Sequence, residues 1–174
     1  VGGPEANGLF LQLAPDEADP EGGLRFARVQ GSRTDGGFAW GTGASLVDID
    51  GDGDLDIYVC NYDAPNQLYI NRSTPGNPEF TEEASAYRLN IRDASITATF
   101  ADIDNDGDLD VVVVNIDTKA KGKEGLPQVL ENVGGNTKSW LTVKLAGTRS
   151  NRDGIGARIT VTAGGRTYVD EARS

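Results

Sequence analysis

The apolar residues of this chain fall in short runs separated by glycine-rich and acidic stretches. Ile57-Tyr-Val-Cys and Val111-Val-Val-Val are rich in β-branched residues, and Leu9 to Leu13 forms another short run. No long stretch places apolar residues at the spacing of three to four that an amphipathic helix requires. β-branched runs bounded by turn residues are typical of strands. The pattern therefore predicts an all-β protein of many short strands.

The pattern also repeats along the chain after 54 residues. Phe26 precedes Asp48 by 22 residues, and Phe80 precedes Asp102 by the same distance. A repeat near 50 residues with four strands in each unit is typical of the blades of a β-propeller. We therefore expect two propeller-type blades.

The repeat divides the chain into four segments. Residues 1–23 are predicted to form a short strand and an acidic surface loop. The two units span 24–77 and 78–137, and each is expected to contain four strands: one around the Phe, one entering an acidic loop, one leaving it and a last one. The second unit has seven extra residues within 118–126, which are predicted to form a solvated loop. Residues 138–174 follow a different pattern.

Each unit carries one acidic loop with nearly the same sequence. Carboxylates at loop positions 1, 3, 5 and 9, a Gly at position 6 and a main-chain carbonyl at position 7 are typical of a calcium loop. In the first loop the carboxylates are Asp48, Asp50, Asp52 and Asp56, and the carbonyl belongs to Asp54. In the second loop they are Asp102, Asp104, Asp106 and Asp110, with the carbonyl of Asp108. The sequence thus predicts two calcium (Ca2+) sites.

One Asp-rich run taken alone is better explained by a solvated acidic loop. Two matching copies favour metal binding, because carboxylates packed this closely repel one another unless a cation compensates them. An EF-hand would have a bidentate Glu at position 12, where this chain has Val59 and Val113. The loops are therefore predicted to lie between strands.

Composition excludes several classes of function. The net charge of −11 has the wrong sign for nucleic acid binding. The absence of histidine removes the imidazole bases and the His-containing zinc sites. The single cysteine, Cys60, is predicted to be a buried small hydrophobe. No apolar run is long enough to span a membrane, and the absence of methionine indicates a mature or excised piece.

The acidic loop, the apolar strand after it and the Leu68-Tyr-Ile-Asn71 run resemble the FG-GAP/VCBS calcium-binding repeats of integrin-type β-propellers. The resemblance covers about residues 24–137. Asn71-Arg-Ser73 also fits the N-glycosylation pattern. Asn132 occupies the matching place without that pattern, so a shared turn-capping role explains Asn71 more economically.

The last segment is similar to the start of the ASPIC/UnbV domain, which follows such repeats in cartilage acidic protein-like secreted proteins. The similarity rests on Trp140-Leu, Ser150-Asn-Arg and Ile155-Gly-Ala-Arg. Strands are predicted in Trp140 to Leu145 and Ala157 to Val161, with a hairpin turn at Gly164-Gly165. Gly154 stands where this family is expected to have Ala. We expect a partial β-sandwich-like module.

These features together predict a secreted, calcium-stabilised structural or adhesion module with no catalytic activity. Expected partners are other copies of the protein, the missing blades of a longer chain, or carbohydrate and matrix. One alternative is a subunit that assembles into a filament or surface layer. Another is a fragment of a carbohydrate-active enzyme, for which the nearest acids outside the loops are Asp63 and Asp117.

Overall fold

The structure, a computed structural model, describes residues 8–12, 26–29, 34, 39–116, 125–134, 141, 143–149 and 151–172. These residues form antiparallel strands and turns without a helix, which confirms the all-β class. The strands are β1 (Phe10–Gln12), β2 (Phe26–Arg28), β3 (Gly41–Val47), β4 (Asp56–Asn61), β5 (Gln67–Asn71), β6 (Phe80–Glu82), β7 (Ser95–Ala101), β8 (Asp110–Asn115), β9 (Gln128–Leu130), β10 (Arg158–Ala163) and β11 (Arg166–Glu171).

The first sheet has the order β3-β4-β5-β6, and β4 is one of its two inner strands. Successive side chains of a strand point to opposite faces, and both faces of β4 are covered. Tyr58 and Cys60 pack in a cluster shared with the second sheet, whereas Ile57 and Val59 pack in a cluster on the other face. An uninterrupted apolar run is what a strand covered on both faces requires. Burial raises the pKa of the Cys60 thiol to about 11, in agreement with its predicted structural role.

The second sheet has the order β7-β8-β9, and the assignment of the Phe-bearing strand needs a correction. We expected Phe80 to open the second unit, but its strand, β6, pairs with β5 and completes the first sheet. A short turn with Gly76 at φ 81° joins β5 to β6, so this local pairing closes only a small loop. Four strands were expected in the second unit, and the described residues provide three.

The N-terminal strands repeat the same arrangement. Gln12 of β1 pairs with Phe26 of β2 in the way that Asn71 of β5 pairs with Phe80 of β6. The β1-β2 pair therefore corresponds to the outer half of a sheet that would precede the first. Leu9, just before β1, packs against the buried cluster of Val59, Tyr69 and Phe80.

The two larger sheets meet along β3 and β7. The Thr42 hydroxyl donates to the Ser95 carbonyl at 2.7 Å, and the Ser45 hydroxyl donates to the Ala98 carbonyl at 2.6 Å. A Cβ atom on Gly43 would lie 2.5 Å from the Ile96 carbonyl oxygen, so only glycine permits this approach. From Thr42 to Ser45 the donor moves three residues along β3, and the acceptor moves three residues in the same sense along β7. The two strands therefore run in the same direction.

The described part of the C-terminal segment contains the hairpin β10-β11, with its turn at Gly164 and Gly165 as predicted. A strand was expected at Trp140 to Leu145, but the described residues of that stretch form none. Of the expected β-sandwich-like module, the described residues therefore contain the hairpin alone. Gly154 adopts φ 66°, and a Cβ there would lie 2.7 Å from Leu145 Cδ1. Its departure from the expected Ala therefore has a local structural reason.

Two predicted loops fall mostly outside the described residues. They are Ala14 to Gly23 and the insertion within 118–126. Among the described residues, the structure contains no helix long and apolar enough to cross a membrane.

Candidate calcium sites

Both acidic loops lie at the same end of the molecule. Loop 1 (residues 48–56) connects β3 to β4, and loop 2 (residues 102–110) connects β7 to β8. Since β3 and β7 run side by side in the same direction, the loops that follow them lie at the same end of neighbouring sheets. The ten predicted site residues thus lie in two separate loops that occupy corresponding places in the two sheets.

Loop 1 is folded by its own carboxylates around backbone amides. The Asp52 amide donates to Oδ1 of Asp48 at 3.0 Å and to Oδ1 of Asp50 at 3.2 Å. The Gly53 amide donates to Oδ2 of Asp48 at 3.0 Å. Gly51 and Gly53 have φ of 66° and 94°, a conformation that glycine adopts without strain. The loop therefore winds tightly around the side chain at its first position.

Loop 2 has the same internal hydrogen bonds. The Asp106 amide donates to Asp102 and Asp104 at 3.1 and 3.2 Å, and the Gly107 amide donates to Asp102 at 3.2 Å. Asn105 takes the place of Gly51 with φ 63°, and asparagine tolerates this left-handed conformation better than most residues do. The repeat in sequence is therefore also a repeat in local geometry.

Three carboxylates converge in each loop. In loop 1, one oxygen from each of Asp48, Asp50 and Asp56 lies within 4.8 Å of the others. In loop 2 the corresponding group is Asp102, Asp104 and Asp106, so position 9 contributes to the first group and position 5 to the second. These donor sets consist of oxygen alone, which suits a hard cation such as calcium and not zinc or copper. The side chain of Asp54 is exposed, whereas that of its counterpart Asp108 is buried. The residues present thus fit calcium.

The electrostatics of the loops also favour a cation. Burial raises the pKa of the Asp48 carboxyl above its usual value, and repulsion by Asp52 acts in the same direction. Burial likewise raises the pKa of Asp56, with smaller contributions from Asp50 and Asp48. Desolvation and the nearby Asp106 raise the pKa of Asp104. A divalent cation stabilises the charged form of each carboxylate and offsets these effects.

Asp56 and Asp110 have a second role that the sequence did not predict. Asp56 is 1% exposed, and its two oxygens accept from the Ile49 amide at 2.9 Å and the Asn71 amide at 2.8 Å. Asp110 accepts from the amides of Ile103 and Asn132, both at 2.9 Å. Each carboxylate therefore fastens the start of its loop to the end of a strand far along the chain. The sequence contained one signal for this role, namely that Asn71 and Asn132 occupy matching positions in the repeat.

The side chains of these two asparagines cap the following turn, as predicted. Oδ1 of Asn71 accepts from the Ser73 amide at 3.0 Å, and Oδ1 of Asn132 accepts from the Gly134 amide at 3.3 Å. Nδ2 of Asn71 also donates to the Leu55 carbonyl at 3.0 Å. The Asn71 side chain therefore supports the end of loop 1.

A positively charged arginine side chain lies beside loop 1. Arg72 Nη1 lies 3.4 Å from Asp50 Oδ2, and Arg72 Nη2 lies 3.3 Å from Glu83 Oε1. Val133 follows Asn132 at the corresponding place beside loop 2. The Arg72 side chain is 43% exposed, so solvent screens these ion pairs.

Comparison with known proteins supports both resemblances. Residues 48–113 match the family model for the FG-GAP-like repeat, and residues 147–174 match that for ASPIC and UnbV. Cartilage acidic protein 1 of Homo sapiens is 31% identical over 96 residues, which is 55% of this chain and 14% of that protein. The Mus musculus protein matches equally over 15% of its length. The Xenopus tropicalis protein is 33% identical over 76 residues, 44% of this chain and 12% of its own. The aligned region thus spans about one seventh of the human relative's length.

Proposed function

We propose that this chain, which combines an FG-GAP-like repeat region with an ASPIC and UnbV segment, is a calcium-binding structural module of a secreted protein. In this role it mediates protein or matrix contacts outside the cell, and calcium makes its inter-strand loops rigid. Its relatives are named as acidic proteins of cartilage, and this chain is itself acidic, with a net charge of −11. The two larger sheets act as blades of a propeller.

The observation that carries the proposal is the pair of equivalent loops. Each loop brings three carboxylates together at one end of the molecule, with the same hydrogen bonds from the amides at loop positions 5 and 6. A surface that is only acidic has no reason to repeat these hydrogen bonds in both loops. Calcium sites of extracellular modules bind with dissociation constants of about 0.1 to 1 mM, which suits calcium-rich surroundings.

The proposal includes no catalytic role. Glycoside hydrolysis requires two carboxyl groups about 5 to 10 Å apart that flank a substrate cleft. Asp63 Oδ1 instead accepts a hydrogen bond from the Trp40 amide at 3.3 Å, and Asp117 lies outside the described residues. The hydrogen bonds repeated in the two loops favour the structural role over the carbohydrate-active alternative.

Replacing one ligand in each loop tests the proposal directly. Asp52→Ala is expected to abolish calcium binding at loop 1 and to leave loop 2 unchanged, and Asp106→Ala is expected to do the reverse. Isothermal titration calorimetry should give two sites for the unmutated chain, one for each single variant and none for the double variant. Losses of free energy caused by substitutions at independent sites are additive within about 0.5 kcal/mol.

Asp63→Ala is the control, since it removes an exposed carboxylate outside both loops. Two sites of unchanged affinity are expected for this variant. If either single variant abolished both sites, the loops would share one metal cluster, and the assignment of one site to each sheet would be wrong.

We further propose that other copies or further blades pack against the second sheet. In the first sheet, β6 pairs with the outer edge of β5. Among the described strands, none pairs in this way with β9, which corresponds to β5 in the second sheet. Val114 and Val129 lie on β8 and β9 and are 39% and 65% exposed. Their counterparts in the first sheet, Cys60 and Leu68, are fully buried in the cluster shared by both sheets. An open strand edge beside an apolar face is a template for association.

Association is expected to depend on salt, because residues 138–174 carry seven Lys or Arg against three Asp or Glu, while residues 1–137 have a net charge of −15. Exposed charges are screened as salt rises from about 0.05 to 0.5 M. Sedimentation velocity in calcium should show larger particles at low salt.

Val129→Lys should reduce association, because a charge on an edge strand opposes pairing. Val133→Lys, outside the strand, is the control. A monodisperse monomer at low salt would contradict this expectation.

A further inference from the structure

The C-terminal hairpin contacts one of the two acidic loops. Cε1 and Cδ1 of Tyr168, on β11, lie 3.4 and 3.8 Å from the position that a Cβ atom on Gly53 would occupy. Gly53 is position 6 of loop 1, and its amide donates to Asp48. The aromatic ring of the hairpin thus rests on the turn that wraps the first predicted calcium ligand.

A cleft of about 730 Å³ beside this contact joins the same two parts of the chain. Val47 and Asp48 line it from the end of β3 and the start of loop 1, and Ile159, Asp170 and Glu171 line it from the hairpin. Tyr168 of the hairpin therefore contacts loop 1, while Asp170 and Glu171 of the hairpin line the same cleft as Asp48 of loop 1. Like charges brought together in this way oppose docking.

A divalent cation in loop 1 reduces this repulsion. It changes the charge of the loop by two units and holds Gly53 and its neighbours in the conformation on which Tyr168 rests. Lys144 also lines the cleft, together with four acidic residues, Asp48, Asp153, Asp170 and Glu171.

We propose that the hairpin is a cap for the calcium site of loop 1, so that calcium binding at this loop and docking of the C-terminal segment stabilise each other. This inference rests on the proposed calcium-binding function and assigns a role to the ASPIC and UnbV segment. Coupling between two events is reciprocal: if calcium strengthens docking, docking strengthens calcium binding by the same factor.

The first test measures calcium affinity at loop 1 alone. In an Asp106→Ala background, which leaves loop 1 as the intact loop, Tyr168→Ala is expected to weaken calcium binding about five-fold or more, the lower end of typical coupling factors. Val169→Ala is the matched control, because Val169 is the next residue of β11 and points to the opposite face. Its calcium affinity should equal that of the background protein. In an Asp52→Ala background, Tyr168→Ala should leave loop 2 unchanged.

The second test follows the hairpin itself by amide hydrogen exchange. Calcium is expected to slow exchange of the β10 and β11 amides in the unmutated chain and in Asp106→Ala, and to have no effect on them in Asp52→Ala. This comparison leaves the hairpin sequence intact, so it does not depend on how Tyr168→Ala folds.

The outcomes separate this inference from the function on which it rests. Equal calcium affinity at loop 1 for Tyr168→Ala and Val169→Ala, or hairpin exchange that ignores calcium, would overturn the cap and leave calcium binding intact. A chain that binds no calcium at either loop would overturn both.

Discussion

Chelation of calcium is expected to lower the free energy of unfolding by about 5 kcal/mol relative to the calcium-loaded protein. At a free calcium concentration 100 times the dissociation constant, each of the two occupied sites contributes about 2.7 kcal/mol to stability. The ion binds the ordered loop and not the unfolded chain, in which the carboxylates of loops 1 and 2 are no longer held together. For a chain of this size about 5 kcal/mol corresponds to a melting temperature lower by roughly 10 to 20 °C.

Thermal unfolding followed by circular dichroism, with calcium and with a chelator, measures this difference. The double variant Asp52→Ala/Asp106→Ala is the control, because calcium should no longer change its melting temperature. An unmutated chain that melts at the same temperature in both conditions would contradict the calcium-binding function.

Asp56→Ala is expected to destabilise the fold by about 3 kcal/mol even without calcium, because hydrogen bonds to charged groups contribute about 1.5 to 3 kcal/mol each and this carboxylate accepts two. The amides of Ile49 and Asn71 would be left without their acceptors in the protein interior. Asp110→Ala should have the same effect, through the amides of Ile103 and Asn132.

Urea denaturation in the presence of a chelator measures this effect separately from metal binding. Asp54→Ala is the matched control, since it removes a charge from the same loop but an exposed side chain. Its free energy of unfolding should change by less than about 0.5 kcal/mol, as is usual for surface substitutions. Equal destabilisation by Asp54→Ala and Asp56→Ala would show that the buried hydrogen bonds of Asp56 do not anchor the loop.

The sequence predicted the local features of this protein correctly. The strands that leave the two acidic loops, the turn at Gly164 and Gly165 and the burial of Cys60 all follow from short stretches whose residue types favour one conformation. The resemblances to FG-GAP and ASPIC/UnbV proteins were likewise visible in short motifs. The ten predicted ligand positions stay a prediction, although their spacing alone brought three carboxylates together in each loop.

Contacts between distant parts of the chain could not be predicted in this way. The strand of Phe80 has the same sequence context whether it begins one sheet or ends another, and the short turn after β5 decided for the latter. The sequence does not show why Gly43 and Gly154 are glycines, whereas in the structure Ile96 and Leu145 approach them too closely for a side chain. Such approaches depend on how complete elements pack, which no local pattern encodes.

The sequence by itself therefore determined the all-β class, the repeat and the spacing of the carboxylates, because strand propensity and loop geometry act over a few neighbouring residues. Only the tertiary structure decided that Asp56 and Asp110 fasten their loops to Asn71 and Asn132, and that Tyr168 rests on loop 1. These contacts join residues 15 to 115 positions apart. The packing of whole sheets, and not the preference of any single stretch, brings such residues together.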